Sequence, residues 1–307
     1  MEIITGTKDF CLEVPTAVAM GKFDGVHIGH RRLLAEILEQ KKNGLKACVF
    51  TFDPPPAVFF GMSDGKELTT KEEKRQIFEK MGVDILVEFP MNSKTAATEP
   101  ETFVREVLVR QLKAVFVAAG SDVSFGHRGA GNAKLLKMLA KECRYEVKLI
   151  DKICLEQREI SSTYVREAVE KGDVKLAARL LGEPYMVKGT VVHGKHLGHT
   201  LGFPTVNLVP EKEKLLPPAG VYYSLVQVDE KVYKGVTNVG YKPTVTEEKV
   251  CGVETYIYDF DEEIYGKEIC VSFCEFKRSE KKFDSLEELK CKIKEDMTSG
   301  WKYFENR

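Results

Sequence analysis

The sequence predicts an α/β chain in two parts: a parallel sheet covered by helices, followed by a small antiparallel β-barrel with a C-terminal helix. Three observations carry this expectation. The length of 307 residues matches about two domains of ~100–200 residues each. From residue 14 to about 150, short apolar runs alternate with helical patterns, as strands do when helices carry the chain back between them. Beyond EPYMV, residues 183–187, the apolar period changes to two, which is the spacing of half-buried antiparallel strands. The boundary is placed in that linker, giving domains 1–184 and 185–307.

The elements follow in order. TAVAM (16–20) reads as a strand, and Leu33, Leu34, Ile37 and Leu38 form the apolar stripe of a helix closed by Gly44. LKACVFTF (45–52) is the next buried strand. Thr70 and Glu73 have capping-box spacing for a helix ending near Gly82, and VDILVEF (83–89) follows it. TFVREVLVRQL (102–112) and KLLKMLAKE (134–142) are helical, each leading into a strand, AVFVAAG (114–120) and YEVKLI (145–150). Residues 160–182 predict two short helices ended by Gly172 and Gly182. In the second part, VYYSLVQV and VYKGVTNV flank Asp229-Glu230-Lys231, and VETYIYDF and EICVSFCEF flank another acidic turn, so both pairs predict hairpins of a barrel. A last helix starts at Ser285, with Glu288 completing a capping box.

Composition excludes several classes. Lys+Arg 46 against Asp+Glu 47 leaves a net charge of −1, with no basic excess to hold a nucleic acid by counterion release. The first ten residues carry Glu2, Lys8 and Asp9, unlike a secretory leader. No apolar run approaches the ~18 residues that span a bilayer. The eight cysteines form no CxxC pair and read as reduced, mostly buried thiols of a cytoplasmic protein. Oligomeric state is not written in the sequence.

GKFDGVHIGH (21–30) joins a strand to a helix and spends two of the six histidines, His27 and His30, on one turn. A helix start offers unpaired N–H groups and partial positive charge, so a phosphate site is one reading. Metal ligands and structural donors are the others, the metal weakened by the absence of a third ligand nearby. In a parallel sheet this turn falls at the carboxyl ends of the strands, where ligands bind.

HIGH is similar to the signature of nucleotidyltransferases that break the α–β bond of ATP. GKFDGVHIGHRRLL, TFDPPP (51–56), GSDVSFGHRGAGN (120–132) and ISSTYVREAVEKGD (160–173) together resemble the adenylyltransferase module of the prokaryotic bifunctional riboflavin kinase/FAD synthetases. That resemblance implies a Rossmann-like nucleotidyltransferase domain in which His27 and His30 touch the phosphates of ATP. Gly21, Phe23, Asp24, Gly25, Gly29 and Asp122 line the ATP and FMN site, and Ser161, Ser162, Thr163 and Arg166 close on it. Taken alone, Asp122 also suits a turn, and Ser161 and Ser162 suit N-caps. Three positions depart from the family's pattern: Pro55 stands where a histidine is usual, Val123 where an aromatic is, and Asn132 where an aspartate is.

GTVVHGKHLGHTLGFPTVN (189–207) is not a P-loop and leads from strand to strand. A flexible loop is the plain reading of its glycines. It resembles the riboflavin kinase signature, and GVYYS, GVTNVGYKPTV, VETYIYDFDEEIYGKEI and FKRSEKKFDSLEELKCKI follow in the family's order. The resemblance implies Mg²⁺ and ATP at Thr205 and Asn207, a nucleotide-covering loop with Gly194, Lys195, Gly198 and Pro204, and Arg278 near the flavin. His199 replaces the usual arginine. Alternation puts Glu254, Tyr256, Tyr258 and Phe260 on one face; a solvated edge strand would explain this, whereas the resemblance makes Glu254 the base for the 5′-hydroxyl of riboflavin. The implied activity is riboflavin to FMN in the second domain and FMN to FAD in the first, with ATP as co-substrate in both. Alternatives are a kinase whose first domain has lost adenylylation, and a non-catalytic flavin sensor.

Overall fold

The apolar runs of the first part become the six strands of one parallel sheet. The computed structural model describes residues 1–194, 202–242 and 250–306 and divides into two units, Met1–Ser162 and Thr163–Arg307. In the first unit the strands are β1 (Glu2–Thr5), β2 (Thr16–Met20), β3 (Lys46–Asp53), β4 (Ile85–Pro90), β5 (Ala114–Gly120) and β6 (Glu146–Ile150). Their order is β1-β4-β3-β2-β5-β6, parallel throughout. The edge strand β1, too short and polar to carry a period, is not foreseen from the sequence. The chain steps from β2 outward through β3 to β4 and then returns to the other side of β2 with β5. The turn after β2 therefore lies where the winding reverses, the place where an open α/β sheet leaves a crevice for ligands.

Helices α1 (Ile28–Glu39), α2 (Lys71–Met81), α3 (Phe103–Gln111) and α4 (Ala133–Cys143) cover this sheet. On α1, Leu33, Leu34 and Ile37 are buried, as their spacing predicts; truncating one fully buried side chain such as Leu34 or Ile37 costs roughly 2–5 kcal/mol. The Thr70–Glu73 capping box forms in full at α2, which ends at Gly82. In α3 the winding is wider than α-helical: the amide of Leu112 reaches back five residues to the carbonyl of Val107.

The second unit takes in α5 (Ser162–Glu170) from its second residue, Thr163, and α6 (Val174–Leu181), then closes a six-stranded barrel. Its strands are β7 (Met186–Val192), β8 (Thr205–Pro210), β9 (Gly220–Val228), β10 (Lys231–Lys242), β11 (Val250–Ile257) and β12 (Glu268–Ser279), in the closed order β7-β8-β11-β10-β9-β12. β9 and β10 make the expected hairpin, with Val228 opposite Lys231. The second expected hairpin does not form. β11 pairs with β8 and β10, while β12 pairs with β7 and β9. Closure requires the last strand to meet the first, so the acidic segment after β11 crosses the barrel end rather than turning back on itself.

Ser224, Thr237 and Thr255 are fully buried and satisfy one another through hydroxyl contacts of 2.7 and 2.8 Å. Helix α7 (Leu286–Glu305) is capped by Ser285, and Glu288 reaches back to the amide of Asp284, one residue before the cap. Met297, Trp301 and Phe304 of α7 pack on Val221, Tyr223 and Val236, covering one face of the barrel. Of the described cysteines, all free, only Cys48, Cys270 and Cys274 are buried. The expectation of mostly buried thiols is thus corrected, because Cys11, Cys154 and Cys291 lie on exposed faces.

Candidate active sites

In the first unit the histidine turn is held from three sides. Gly21 donates its amide to the carbonyl of Phe50 on β3 at 3.2 Å, Asp24 Oδ1 accepts the amide of Leu68 at 2.8 Å, and Gly25 donates to Thr69 Oγ1 at 2.9 Å. Ser162 Oγ donates to the carbonyl of Asp24 at 2.7 Å, which joins the second motif to the first. Phe23 and Val26 have positive φ, at 52° and 43°. For a β-branched residue this is strained backbone, of the kind that persists where surrounding structure enforces it, often at functional sites.

His27 is the N-cap of α1 and its Nδ1 accepts the amide of His30 through a long 3.4 Å bond. That contact leaves Nε2 to carry the proton of the neutral ring. The two imidazoles stack at 3.8 Å between centroids, and Phe23 lies 5.1 Å from His30. A side chain at Gly29 would stand 3.1 Å from the His27 ring, so the glycine lets the imidazole fold over the helix start. Burial lowers the pKa of His27 to about 4 against the opposing pull of Asp24. Burial, then the neighbouring His27, hold His30 well below its ordinary value. Both rings are neutral donors beside the positive end of α1, which suits an anion and not a proton relay at pH 7.

The remaining expected residues of this half are placed unevenly. Asp122 is exposed and paired with Lys152 at 3.3 Å. Thr163 and Arg166 lie on α5, in the second unit, and Ser161 directly precedes that helix. Among the departures, Asn132 caps α4 by accepting the amide of Leu135 at 3.1 Å, and Val123 packs against the core. Pro55 lines a small cavity with Asp53, Glu67, Lys71, Lys74 and Glu88. There Lys71 Nζ lies 2.5 Å from Asp53 Oδ2 and 3.2 Å from Glu88 Oε2. Sequence reading missed these cations, because nothing local marks a helix-face lysine as facing two strand ends.

In the second unit a cavity of about 310 Å³ opens between the barrel wall and α7. Its floor follows a register row through Arg278 on β12, Val221 on β9, Asn238 on β10 and Glu254 on β11, and the row continues beyond the cavity lining to Asn207 on β8. Thr205 Oγ1 donates to Glu254 Oε1 at 2.5 Å. Glu254 and Tyr256 line the cavity, whereas Tyr258 packs beneath Trp301 and Phe260 meets Tyr233. β11 lies inside the closed barrel order, which rules out the solvated edge strand. Burial raises the pKa of Tyr256, with the charge of Asp259 adding to it. Asn207 is buried, and a side chain on Gly194 would overlap its amide, 2.3 Å from Nδ2. Arg278 is fixed by Asp296 of α7 through bonds of 2.9 and 2.6 Å. Pro204 is exposed just before β8. Lys195, Gly198 and His199 lie outside the described residues.

Among the described residues no group of three His, Cys, Asp or Glu is disposed for a metal. The Thr205 hydroxyl and the Asn207 amide oxygen beside Glu254 are nonetheless hard oxygen donors. They fit a cation such as Mg²⁺, which keeps several waters and takes its other ligands from phosphates.

An anion-binding helix start at a sheet switch point, followed by a barrel pocket with a carboxylate beside hard-cation donors, defines a transferase of phosphorus-containing groups with two centres. Comparison with known proteins agrees. Residues 12–164 match the FAD synthetase family model and residues 181–304 the riboflavin kinase family model. The bifunctional riboflavin kinase/FMN adenylyltransferase of Bacillus subtilis (strain 168) is 35% identical over 301 residues, covering 96% of this chain and 94% of that one. The protein of the same name from Escherichia coli (strain K12) is 35% identical over 290 residues, covering 94% and 92%. A crystal structure described as a macrolide-efflux protein from Streptococcus pneumoniae superposes with a TM-score of 0.85 at 30% identity, covering 96% of this chain and 97% of that one. Efflux is said of that protein; among the described residues here no helix is long and apolar enough to cross a membrane. The chain belongs to the bifunctional riboflavin kinase/FMN adenylyltransferase family.

Proposed function

We propose that this chain makes FAD from riboflavin in two ATP-dependent steps, with residues 185–307 acting as the kinase and 1–184 as the adenylyltransferase. In the first step Glu254 accepts the proton of the riboflavin 5′-hydroxyl as that oxygen attacks the γ-phosphorus of ATP; FMN forms and ADP leaves. A base in this role must sit within hydrogen-bond reach of the hydroxyl, and Glu254 faces a cavity with room for the ring. Thr205 and Asn207 are the residues that would hold Mg²⁺, whose charge offsets that of the phosphates. In the second step an FMN phosphate oxygen attacks the α-phosphorus of a second ATP and pyrophosphate leaves. No protein nucleophile is needed. His27 and His30 donate to the phosphate oxygens, and the start of α1 adds its partial charge, so catalysis is alignment plus stabilisation of developing charge. On this reading the enzyme works on small-molecule substrates in the cytoplasm, with neither nucleic acid nor membrane as a partner.

The observation that carries this reading is the meeting of Thr205 and Glu254 in the lining of a ring-sized cavity, with Asn207 beside them as the register partner of Glu254. Incubation with riboflavin, ATP and Mg²⁺ followed by chromatography tests it, and FAD is the expected product. FMN alone would favour a kinase without the second step, a reading motivated by Pro55 in place of a polar side chain at the first site. Unaltered riboflavin would overturn both.

A further inference from the structure

We propose that Asp296 recognises the imide edge of the flavin in the kinase pocket, its Oδ1 accepting the ring N3–H; this rests on the kinase reading above. Asp296 is 2% exposed, yet it carries a carboxylate. Its Oδ2 takes both hydrogen bonds from Arg278, while Oδ1 is buried with no hydrogen-bond partner. Buried polar atoms are ordinarily satisfied, and a lone orphan in the wall of a ligand cavity marks where the ligand supplies the missing group. Asp296 is one of the residues that line this cavity.

The register row fixes which end of the flavin arrives there. Glu254 and Arg278 stand three strand spacings apart, about 14 Å when followed along the curved barrel wall. With the 5′-hydroxyl at Glu254, the ribityl chain runs along the floor past Asn238, and the ring extends toward Arg278 and Asp296. Val221, Val236, Tyr256, Leu289, Ile293 and Met297 give the ring an apolar bed. The oxidised isoalloxazine has a single N–H, at N3, flanked by two carbonyls. A carboxylate oxygen beside a guanidinium presents an acceptor next to a donor, which matches N3–H next to a carbonyl. The dimethylbenzene end of the ring offers no donor at all.

The test is binding, read by quenching of flavin fluorescence without ATP, for riboflavin and for 3-methylriboflavin, which lacks this donor. The wild-type protein should bind riboflavin about tenfold or more tighter than the methylated analogue, since a site built for a hydrogen bond rejects a ligand that lacks it. Asp296→Ala should bring the two within about threefold by weakening riboflavin. Should that variant fail to fold, Asp296→Asn keeps the size and a carbonyl for Arg278, and the same loss of preference is expected. Equal binding of the two flavins by the wild-type protein overturns the proposal. So does a variant that keeps the wild-type preference, which would put the recognition of N3–H at another group. A wild-type protein that binds neither flavin overturns the kinase reading along with it.

Discussion

Thr205 gives its hydroxyl hydrogen to Glu254 Oε1 across 2.5 Å, linking β8 to β11. A hydroxyl has one hydrogen and two lone pairs, so this bond leaves the oxygen's acceptor side free for a cation. One side chain can thus both orient the Glu254 carboxylate and offer an oxygen to a cation. Thr205→Val, equal in shape but without the oxygen, is expected to lower FMN formation by roughly 10²-fold or more, with Thr205→Ser much milder. Glu254→Gln should keep riboflavin binding and lose FMN formation. Separate chromatographic assays of FMN from riboflavin and of FAD from supplied FMN check this; the second should stay unchanged in all three variants.

Gly194 and Asn207 occupy the same small space. A methyl at Gly194 would lie 2.3 Å from Asn207 Nδ2, closer than real contacts allow. Gly194→Ala should therefore push the amide out of place, abolish FMN formation and weaken ATP binding to the kinase half. FAD formation from supplied FMN should persist, and its loss would count against a local effect.

The stacked imidazoles make stability depend on pH. His27 falls from 6.5 to about 4 by burial, and His30 lies well below 6.5 for the same reason and because of His27. Protonation favours the unfolded chain, where both rings regain their ordinary values. Their contribution is therefore complete above pH 6.5 and is lost as pH falls toward about 4. Thermal unfolding followed from pH 7 to 4 should show this decline, reduced in His27→Asn, which keeps an N-cap acceptor. Bound triphosphate should push both pKa values upward. At pH 7.5, His30→Ala should cost FAD formation about 10²-fold and leave FMN formation intact.

Asn132 caps α4 through Leu135. Asn132→Ala should cost about 1 kcal/mol in denaturant unfolding. Asn132→Asp should be neutral or gain roughly 0.3–1 kcal/mol from its charge at the helix start. A loss of stability on Asn132→Asp would show that the amide has a partner besides the helix.

Local signals predicted much of this molecule. The strand and helix runs, the Thr70–Glu73 box, Ser285 as a cap and the β9–β10 hairpin follow from period, capping chemistry and turn residues, which act over a few positions. The pairing of β12 with β7 and β9 did not follow, because barrel closure is a property of the whole second unit. At the sites, His27, His30, Thr205 and Glu254 stood out by motif. The positive φ of Val26 and the burial of Asp296 did not, since one arises from the bonds that hold the turn and the other from a helix 18 positions beyond Arg278.

The row that crosses five strands also bears on how this pocket tolerates change. Side chains along each strand alternate between the cavity face and the barrel interior, so adding or deleting one residue within β9, β10 or β11 turns that strand's contribution inside out. Point substitutions can tune the pocket residue by residue. A change of length is therefore best accommodated in the connections between strands, or by a bulge such as the two register shifts between β9 and β12, which take up an extra residue without inverting the row.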